Sequence, residues 1–260
     1  MGCGYHEDVE PAPARALFRF YAELNDHLPA ERRHKTLEKS FFVPGAVKDM
    51  IESFGVPHTE VELIVANSQS VPFDYVVRDG DRIAVYPVFE SFDVAPEVKV
   101  RRAALREPRF VLDVHLGRLA AYLRMLGFDA SYRNCAEDSE LARISSGQHR
   151  ILLTRDRGLL KRSAVTHGYL VRETDSRRQL AEVVTRFDLA RSIRPFTRCM
   201  ECNNVLAAAG KEQVRNLLPP RTAEMYEEFL QCPQCGRVYW KGSHYRRMQR
   251  WITELTTGCA

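Results

Sequence analysis

The sequence contains no long hydrophobic run. No uninterrupted apolar stretch reaches the ~18 residues that a membrane-spanning helix requires. The opening residues MGCGYHEDVE also lack the basic start and apolar middle of a secretory signal. These absences favour a cytoplasmic protein without a membrane segment, in which cysteines occur as thiols or metal ligands rather than as disulfides.

Sequence signatures of nucleotide binding are absent as well. No glycine-rich loop precedes Lys-Ser or Lys-Thr, and no GxGxxG follows a strand-like run. A phosphatase with an aspartyl nucleophile is expected to carry a second Asp two residues after the first, but the chain reads DVH at 113 to 115. Nucleotide-dependent chemistry is therefore disfavoured. What remains is a mildly basic chain of 260 residues with a net charge of +4, which is compatible with a polyanionic partner.

Strand and helix patterns divide the chain into segments. Residues 14 to 94 are typical of a small α+β module, and residues 95 to 108, with prolines towards both ends, are typical of a linker. From 109 to 195 strand-like and helix-like runs alternate with short loops, which indicates an α/β domain with a parallel sheet and helices on its faces. Residues 196 to 250 carry paired cysteines and then an aromatic and basic tail.

The first helix-like run of the α/β segment has a regular apolar face. Its apolar positions recur at three and four residues, which predicts one buried helix face, and a glycine is placed to end the helix. These positions are Leu116, Leu119, Ala120, Leu123 and Leu126, followed by Gly127.

Four aspartates lie near the predicted strand ends of this segment. Asp113 follows the first strand, Asp138 opens the helix after the second, Asp156 follows the third and Asp175 follows the fourth. In open parallel sheets the ligand crevice lies beyond the carboxyl ends of the strands, so we expect all four at one edge. Each acid could instead be a helix N-cap. That alternative is weaker for Asp113 and Asp156, because an acid directly after a buried apolar run carries a desolvation cost.

Clustered carboxylates repel one another unless a divalent cation compensates their charge. Mg²⁺ and Mn²⁺ prefer oxygen ligands and keep several waters. Such an ion activates a bound water and neutralises the charge that develops on a scissile phosphate. We therefore predict Asp113, Asp138 and Asp156 as ligands of a catalytic Mg²⁺ or Mn²⁺, with Glu137 and Glu140 as alternatives to Asp138.

Arginines accompany the acidic edge. Arg118 and Arg124 lie on the first helix of the segment, and Arg155 and Arg157 flank the acid after the third strand. The planar guanidinium group suits phosphate oxygens, so these side chains are candidates for holding a nucleic-acid backbone. The alternative for each of them is a solvated, salt-bridged surface.

Two CxxC pairs stand near the end of the chain, CMEC at 199 to 202 and CPQC at 232 to 235. Each pair places two thiolates on one tight turn, and together they match a tetrahedral Cys₄ zinc site. Such a site has no open position, so we assign the zinc to folding; redox pairing is the alternative. The predicted zinc ligands are Cys199, Cys202, Cys232 and Cys235.

The segment after the second pair, RVYWKGSHYRRMQRW, interleaves aromatic and basic residues. Aromatic rings that stack on bases, beside cations that hold phosphates, are typical of single-stranded nucleic-acid binding. The alternative is that the rings cover the small core of a zinc ribbon. The candidate nucleic-acid contacts here are Lys241, His244, Arg246 and Arg247, with packing as the alternative for His244.

Residues 109 to 250 resemble the Mut-seven C-terminal family of PIN-like ribonuclease domains in its bacterial form. The resemblance is carried by FVLDVHLGRLAAYLRMLGFD, ILLTRDRGLL, CMEC, CPQCG and VYWKGSHYRRM, in this order. The preceding segment resembles the ubiquitin-like β-grasp domain that accompanies this ribonuclease domain, with DRIAVYP as its closing strand. Related sulfur carriers end in an exposed diglycine, whereas here YPVFESFDV continues into the linker, so sulfur transfer is disfavoured.

The resemblance implies an α/β PIN-like (Rossmannoid) three-layer domain with a parallel sheet. It implies an α+β ubiquitin-like β-grasp domain ahead of it and a Cys₄ zinc ribbon behind it. In the metal-dependent nuclease that it implies, Asp113 is the first-strand acid, Asp156 the acid of the TRD motif, Asp138 the helix acid and Asp175 a fourth candidate. It leaves a homodimer open, because PIN-like domains often pair.

Two functions agree with these patterns. The first is a hydrolase of single-stranded or structured RNA, in which metal-activated water attacks a phosphodiester and Arg155 or Arg157 orients the backbone. The second is a non-catalytic RNA-binding adaptor, whose ribbon and tail hold RNA while the β-grasp domain recruits a protein partner. The presence of all the principal acids favours the hydrolase.

Overall fold

The computed structural model describes residues 12 to 87 and 108 to 257. The chain divides into two compact units, residues 1 to 104 and 105 to 260. Each unit has its own hydrophobic core. Within the described residues, no helix is long and apolar enough to cross a membrane. The predicted linker, residues 95 to 108, lies outside the described residues except for its last position, so the domain boundaries stay predictions.

The described residues of the first unit form a mixed five-stranded sheet and one α-helix. Its elements are β1 (Ala14–Phe20), β2 (Thr36–Phe41), α1 (Val47–Ser53), β3 (Val61–Ala66), β4 (Gln69–Ser70) and β5 (Arg82–Pro87). The strand order is β2–β1–β5–β3–β4. The central β1–β5 pair is parallel, and the other pairs are antiparallel. This is the predicted ubiquitin-like β-grasp domain.

The first strand ends earlier than its sequence predicts. The run ALFRFYAEL predicts strand throughout, but β1 ends at Phe20 and a 3₁₀-helix covers Ala22–His27. The reason is a side-chain hydrogen bond that competes with strand pairing. The Asn25 amide donates to the carbonyl oxygens of Phe20 at 2.9 Å and Ala22 at 3.0 Å, which turns the chain away from the sheet.

The second unit contains a four-stranded, all-parallel sheet between two helical layers. Its elements are β6 (Arg109–Leu112), α2 (Gly117–Met125), β7 (Asp129–Tyr132), α3 (Asp138–Gly147), β8 (Ile151–Thr154), α4 (Arg157–Leu160), β9 (Gly168–Leu170) and α5 (Ser176–Arg186). The strand order is β7–β6–β8–β9. Helices α2 and α5 share a core with one face of the sheet, and α3 and α4 share a core with the other. This is the predicted three-layer α/β domain.

Helix α2 ends at the glycine that its sequence predicts. Gly127 has a φ of +95°. Its N–H donates to the Arg124 carbonyl at 2.9 Å, and the Phe128 N–H donates to the Leu123 carbonyl at 3.0 Å, as in a Schellman cap. A Cβ at this position would also collide with the carbonyl oxygen of Arg194. Glycine is therefore required here by conformation and by space.

The C-terminal part combines a small antiparallel sheet with a long final helix. Its elements are β10 (Ala207–Ala209), α6 (Lys211–Val214), α7 (Pro220–Met225), β11 (Phe229–Gln231), β12 (Val238–Trp240) and α8 (Ser243–Thr257). Strands β10, β11 and β12 pair in this order. In α8, Ile252 is buried in the α/β core, and Met248 and Leu255 pack against it at helical spacing. The basic and aromatic tail is thus a helix docked on the α/β domain.

Candidate functional site

The sheet order creates a crevice between two central strands. The connection after β6 leads to β7 at one edge of the sheet, and the connection after β8 leads to β9 at the other. Ligand crevices in open parallel sheets lie beyond the carboxyl ends of strands at such a switch point. Asp113 follows β6 directly, and Asp156 lies two residues beyond β8. The fold therefore places these two predicted acids on either side of the crevice.

A buried threonine hydroxyl connects the two acids. The side chain of Thr154 is inaccessible to solvent, and Asp113 is only 6% exposed. The Thr154 hydroxyl donates to Asp113 Oδ2 at 2.8 Å and accepts from the Asp156 N–H at 2.9 Å. Thr154 is the first residue of the TRD motif, and the sequence alone indicates no role for it. Its signal is a hydroxyl residue at the end of a buried strand, two residues before the acid.

Asp156 also caps the short helix α4. Its Oδ1 accepts from the Gly158 N–H at 2.7 Å, and its side chain is exposed. Asp156 can therefore cap α4 and also serve at the crevice, because the cap uses only one of its two carboxylate oxygens. Of the two acids at the crevice, Asp113 is the buried one and Asp156 the accessible one.

The other two predicted acids lie in different surroundings. Asp138 opens α3 and pairs with Arg162, with Oδ2 and Nη2 3.5 Å apart. Asp175 is the N-cap of α5, where its Oδ1 accepts from the backbone N–H groups of Arg177 at 3.0 Å and Arg178 at 3.1 Å. The hydrogen bonds of Asp175 are those of a helix cap.

The carboxylates do not form a tight cluster. In the described part of the chain, the four cysteines are the only group of three or more side chains placed closely enough to hold a metal ion together. Asp113, Asp138 and Asp156 are thus not drawn into such a group. Asp113 and Asp156 are instead connected through the Thr154 hydroxyl.

Arg124 is buried, whereas the sequence suggested a phosphate contact. It is 4% exposed, and burial lowers the pKa of its guanidinium group while the neighbouring Cys199 and Cys202 thiols raise it. Its Nε donates to the Ala130 carbonyl at 2.8 Å, and its Nη1 donates to the carbonyls of Met200 at 3.1 Å and Glu201 at 2.6 Å. The last turn of α2 faces β7 and the first cysteine turn, so this side chain joins them instead of facing solvent.

Replacing Arg124 by Met is expected to destabilise the second unit by about 3 kcal/mol or more, because a buried guanidinium group is removed and three carbonyls, of which that of Ala130 is buried, lose their donor. Chemical denaturation monitored by circular dichroism measures the change. The matched control is Arg118→Ala, since Arg118 lies exposed on the same helix and surface changes cost about 0.5 kcal/mol or less. Equal stability of the two variants would contradict this role of Arg124.

Three predicted arginines are exposed around the crevice. Arg118 lies on the first turn of α2, and Arg155 and Arg157 flank Asp156. Arg155 Nη1 donates to the Glu173 carbonyl beyond β9 at 2.5 Å. All three remain candidates for contact with a phosphate backbone.

Removing the Thr154 hydroxyl is expected to disturb both acids at once. Thr154→Val keeps the volume but leaves Asp113 and the Asp156 N–H without their hydrogen bonds, at a cost of about 1–3 kcal/mol in stability. Residues that orient metal ligands typically contribute about 10–100-fold in activity or metal affinity. Denaturation and a metal titration of activity measure these effects, and Thr154→Ser should restore both. A Ser variant as impaired as Val would show that the methyl group matters instead of the hydroxyl.

The four predicted cysteine ligands form one cluster, all with sulfur atoms within 4.8 Å of one another. The Sγ atoms of Cys199 and Cys235 are 3.5 Å apart, and those of Cys202 and Cys232 are 3.3 Å apart. Two thiolates about 2.3 Å from a tetrahedral zinc lie about 3.8 Å from each other, so the spacing fits a Cys₄ zinc site. The arrangement is that of a zinc ribbon.

The two CxxC turns have the same backbone construction. In the first, the Cys199 N–H donates to the Asn204 carbonyl at 2.8 Å; in the second, the Cys232 N–H donates to the Arg237 carbonyl at 2.9 Å. The residue after each pair has positive φ, +72° at Asn203 and +74° at Gly236. Asn and Gly are the residues that tolerate this conformation best.

The sulfur environments favour a bound cation. Burial raises the pKa of the Cys202 thiol, and the neighbouring sulfurs of Cys232 and Cys199 raise it further. Burial also acts to raise the pKa of Cys199, but hydrogen bonds from Tyr239 and the Cys202 backbone outweigh it and lower the pKa to about 6. Four thiolates without a metal ion would therefore be unfavourable in this cluster, and a divalent zinc ion would compensate their charge.

The first cysteine turn is bound to the edge of the parallel sheet. Asn203 Oδ1 accepts from the Ala130 N–H at 3.0 Å, and Asn203 Nδ2 donates to Asp129 Oδ1 at 2.7 Å. Asp129 also pairs with Arg150 at 2.6 Å. Burial alone would raise the pKa of Asp129, but the hydrogen bonds from Arg150 and Asn203 keep it lowered. Strand β7 is an edge strand, so this turn pairs backbone groups that would otherwise be open.

The tail side chains divide into packed rings and exposed cations. Tyr245 packs on Phe196 with the two rings tilted and their centres 4.3 Å apart, and Trp251 meets Tyr122 edge-on at 4.8 Å. The Tyr239 hydroxyl lies 3.1 Å from Cys199 Sγ. Packing, the second alternative, therefore describes the contacts of these three rings, and Tyr245 is half-buried, with part of its surface accessible. The predicted cations are exposed: Lys241, which pairs with Glu228 at 2.6 Å, and His244, Arg246 and Arg247 on α8.

Comparison with known proteins agrees with this architecture. Residues 108 to 252 match the Mut7-C RNAse domain, and residues 14 to 93 match the Mut7-C ubiquitin domain. No curated protein matches the chain significantly. Among solved structures, the solution structure of the Haloferax volcanii HVO 2177 protein is 16% identical and covers 35% of this chain and 99% of that chain, with a TM-score of 0.27 that is too low to support an argument. Because the RNAse match covers more than half of the 260 residues, the chain belongs to the Mut7-C RNAse domain family, with a Mut7-C ubiquitin domain ahead of it, as the resemblance predicted.

Proposed function

We propose that this protein is a metal-dependent ribonuclease that hydrolyses phosphodiester bonds of RNA at the crevice between β6 and β8. The observation that carries the proposal is the hydrogen-bonded arrangement of Asp113, Thr154 and Asp156 at the switch point of the sheet. Membership of a family described as an RNAse domain points to the same chemistry.

The donor set at the crevice fits a hard divalent cation. Asp113 is buried, and among the described residues its carboxylate receives a hydrogen bond from the neutral Thr154 hydroxyl and forms no ion pair. A buried carboxylate without a cationic partner is costly, and a metal ion would remove that cost. Mg²⁺ binds through one or two carboxylates and keeps several waters. Asp113, Asp156 and Asp138 would therefore be the residues that hold Mg²⁺ or Mn²⁺.

The side chains of this site then have separate tasks. A bound Mg²⁺ or Mn²⁺ supplies an activated water and neutralises charge that develops on the scissile phosphate. Thr154 fixes the Asp113 carboxylate and the backbone at Asp156, so that their oxygens keep one relative position. Arg155, held by the Glu173 carbonyl, and the neighbouring Arg157 orient the phosphate backbone through their planar donors. In this scheme Asp175 serves as the cap of α5.

We assign the cysteine cluster to a structural Zn²⁺. Four cysteine ligands leave no open coordination position, so such a zinc contributes to folding and not to the hydrolysis. Lys241, His244, Arg246 and Arg247 follow the ribbon as exposed positions from which RNA can be held.

The β-grasp domain is assigned to contact with a protein partner, in line with its match to a ubiquitin-type domain. A homodimer stays a prediction from the family resemblance.

The proposal is tested by incubating the purified protein with end-labelled single-stranded RNA, structured RNA and single-stranded DNA. Each substrate is combined with Mn²⁺, Mg²⁺ or EDTA. The proposal predicts RNA cleavage with Mn²⁺ or Mg²⁺ and none with EDTA. RNA that is bound but remains uncut with every divalent ion would identify the protein as a binding adaptor.

A further inference from the structure

A cleft lies where α8 packs on α2 and α5. Its volume is about 400 Å³. Three arginines and one glutamate supply its charged groups, so the cleft has an excess of positive charge. The walls are formed by Tyr122 and Met125 of α2, Arg177 of α5, and Arg247, Met248, Arg250, Trp251 and Glu254 of α8.

The cationic wall of this cleft is ordered by an aromatic contact. The Arg177 guanidinium carbon lies 5.0 Å from the centre of the Trp251 ring, and that ring is held edge-on by Tyr122. Arg247 and Arg250 are exposed and lie three residues apart, about 4.5 Å along the helix axis. Within the described residues, none of the three arginines has a carboxylate partner within 4 Å. Their charge is available to an anion.

One wall of the cleft belongs to the acidic edge of the sheet. Arg177 lies in the first turn of α5, two residues after the cap Asp175. Helices that follow parallel strands begin at the carboxyl ends of those strands, where Asp113 and Asp156 also lie. Arg177 therefore places one end of the cleft at the same edge of the sheet as the crevice.

A second, mostly apolar groove adjoins the cleft at Met248, which lines both. Its volume is about 720 Å³, and Phe196, Trp240 and Tyr245 contribute aromatic surface to it. A chain that alternates anionic groups with flat apolar rings matches this pairing of cleft and groove. Single-stranded RNA presents phosphates together with unpaired, accessible bases, whereas duplex RNA keeps its bases stacked inside the helix.

We propose that the cleft binds the phosphodiester backbone of single-stranded RNA through Arg177, Arg247 and Arg250, while the adjoining groove takes its bases. This site would lead the strand from the ribbon side of α8 towards the crevice. The inference rests on the proposed function, because it assigns the substrate path of the same nuclease.

The test measures RNA affinity as a function of salt concentration. Fluorescence anisotropy is recorded with a labelled single-stranded RNA in an Asp156→Asn background, which prevents cleavage. Each phosphate contact contributes a slope of about 0.7 in a plot of log affinity against log salt for single strands. Arg247→Ala/Arg250→Ala is expected to lower that slope by about 1.4 and to weaken binding roughly tenfold or more at moderate salt.

The matched control is Arg143→Ala/Arg221→Ala, which removes the same charge from exposed positions on α3 and α7. It should keep the parent slope, and thermal unfolding verifies that both double variants are folded. An unchanged slope in Arg247→Ala/Arg250→Ala, or equal affinity for duplex RNA, would overturn the inference while RNA cleavage by the unmodified protein still stands. Absence of both binding and cleavage in the unmodified protein would overturn the proposed function itself.

Discussion

Replacing Asp156 by Asn is expected to reduce RNA cleavage by at least about 100-fold, as when a group that stabilises developing charge is removed. Asn has nearly the same shape and is as good an N-cap as Asp, so the bond from the Gly158 N–H survives. What disappears is the negative charge that would hold the proposed metal. Stability should therefore change by less than about 1 kcal/mol. Initial cleavage rates in Mn²⁺, RNA affinity and thermal unfolding are measured together.

The matched control is Asp188→Asn, an exposed position in the same unit. Its cleavage rate should equal that of the unmodified protein. Cleavage by Asp156→Asn at the parent rate would contradict the role of this acid. A loss of cleavage that is fully explained by unfolding of the variant would show that Asp156 acts only as the cap of α4.

Loss of zinc is expected to destabilise the α/β domain as well as the ribbon. Apparent zinc-binding free energies in small zinc domains are about 10–16 kcal/mol, so losing one ligand should lower stability by at least about 3 kcal/mol. The effect should spread, because Asn203 and Arg124 link the first cysteine turn to β7. Cys232→Ser should therefore lose zinc and also lose protection of the Ala130 amide in hydrogen exchange, since that N–H donates to Asn203.

Cys135→Ser provides the comparison for this variant. Cys135 is exposed and lies outside the cysteine cluster, so zinc content by mass spectrometry and amide protection should stay at the parent values. Full protection of Ala130 in zinc-free Cys232→Ser would show that the ribbon and the sheet are energetically separate.

The α/β core could be predicted from sequence because its pattern is regular. The run DSELARISSG forms α3 over the predicted residues, and the buried strands β6 and β8 follow their apolar runs. Local apolar spacing decides such elements without information from distant parts of the chain. The run RGLLKRSAV is helix-like in composition over its whole length, but α4 ends at Leu160.

Features that depend on distant contacts were missed. Arg124 looks like any helical arginine in the sequence, and its burial follows from the ribbon folding back from Met200 onto α2. The Thr154 hydroxyl reaches Asp113 only because β6 and β8 pair side by side in the sheet. The helix α8 does have a local signal, since Tyr245, Met248 and Ile252 recur at helical spacing, but the same segment interleaves basic and aromatic residues in a pattern that is also typical of nucleic-acid binding.

The central claim is that the crevice between Asp113 and Asp156 holds the catalytic metal. The most direct measurement is anomalous X-ray scattering from crystals soaked in Mn²⁺ at a concentration that supports RNA cleavage. The account predicts an Mn²⁺ peak ligated by carboxylate oxygens of Asp113 and Asp156, and no such peak in Asp156→Asn crystals. Manganese bound at another site, with the crevice empty while RNA is cleaved, would contradict it.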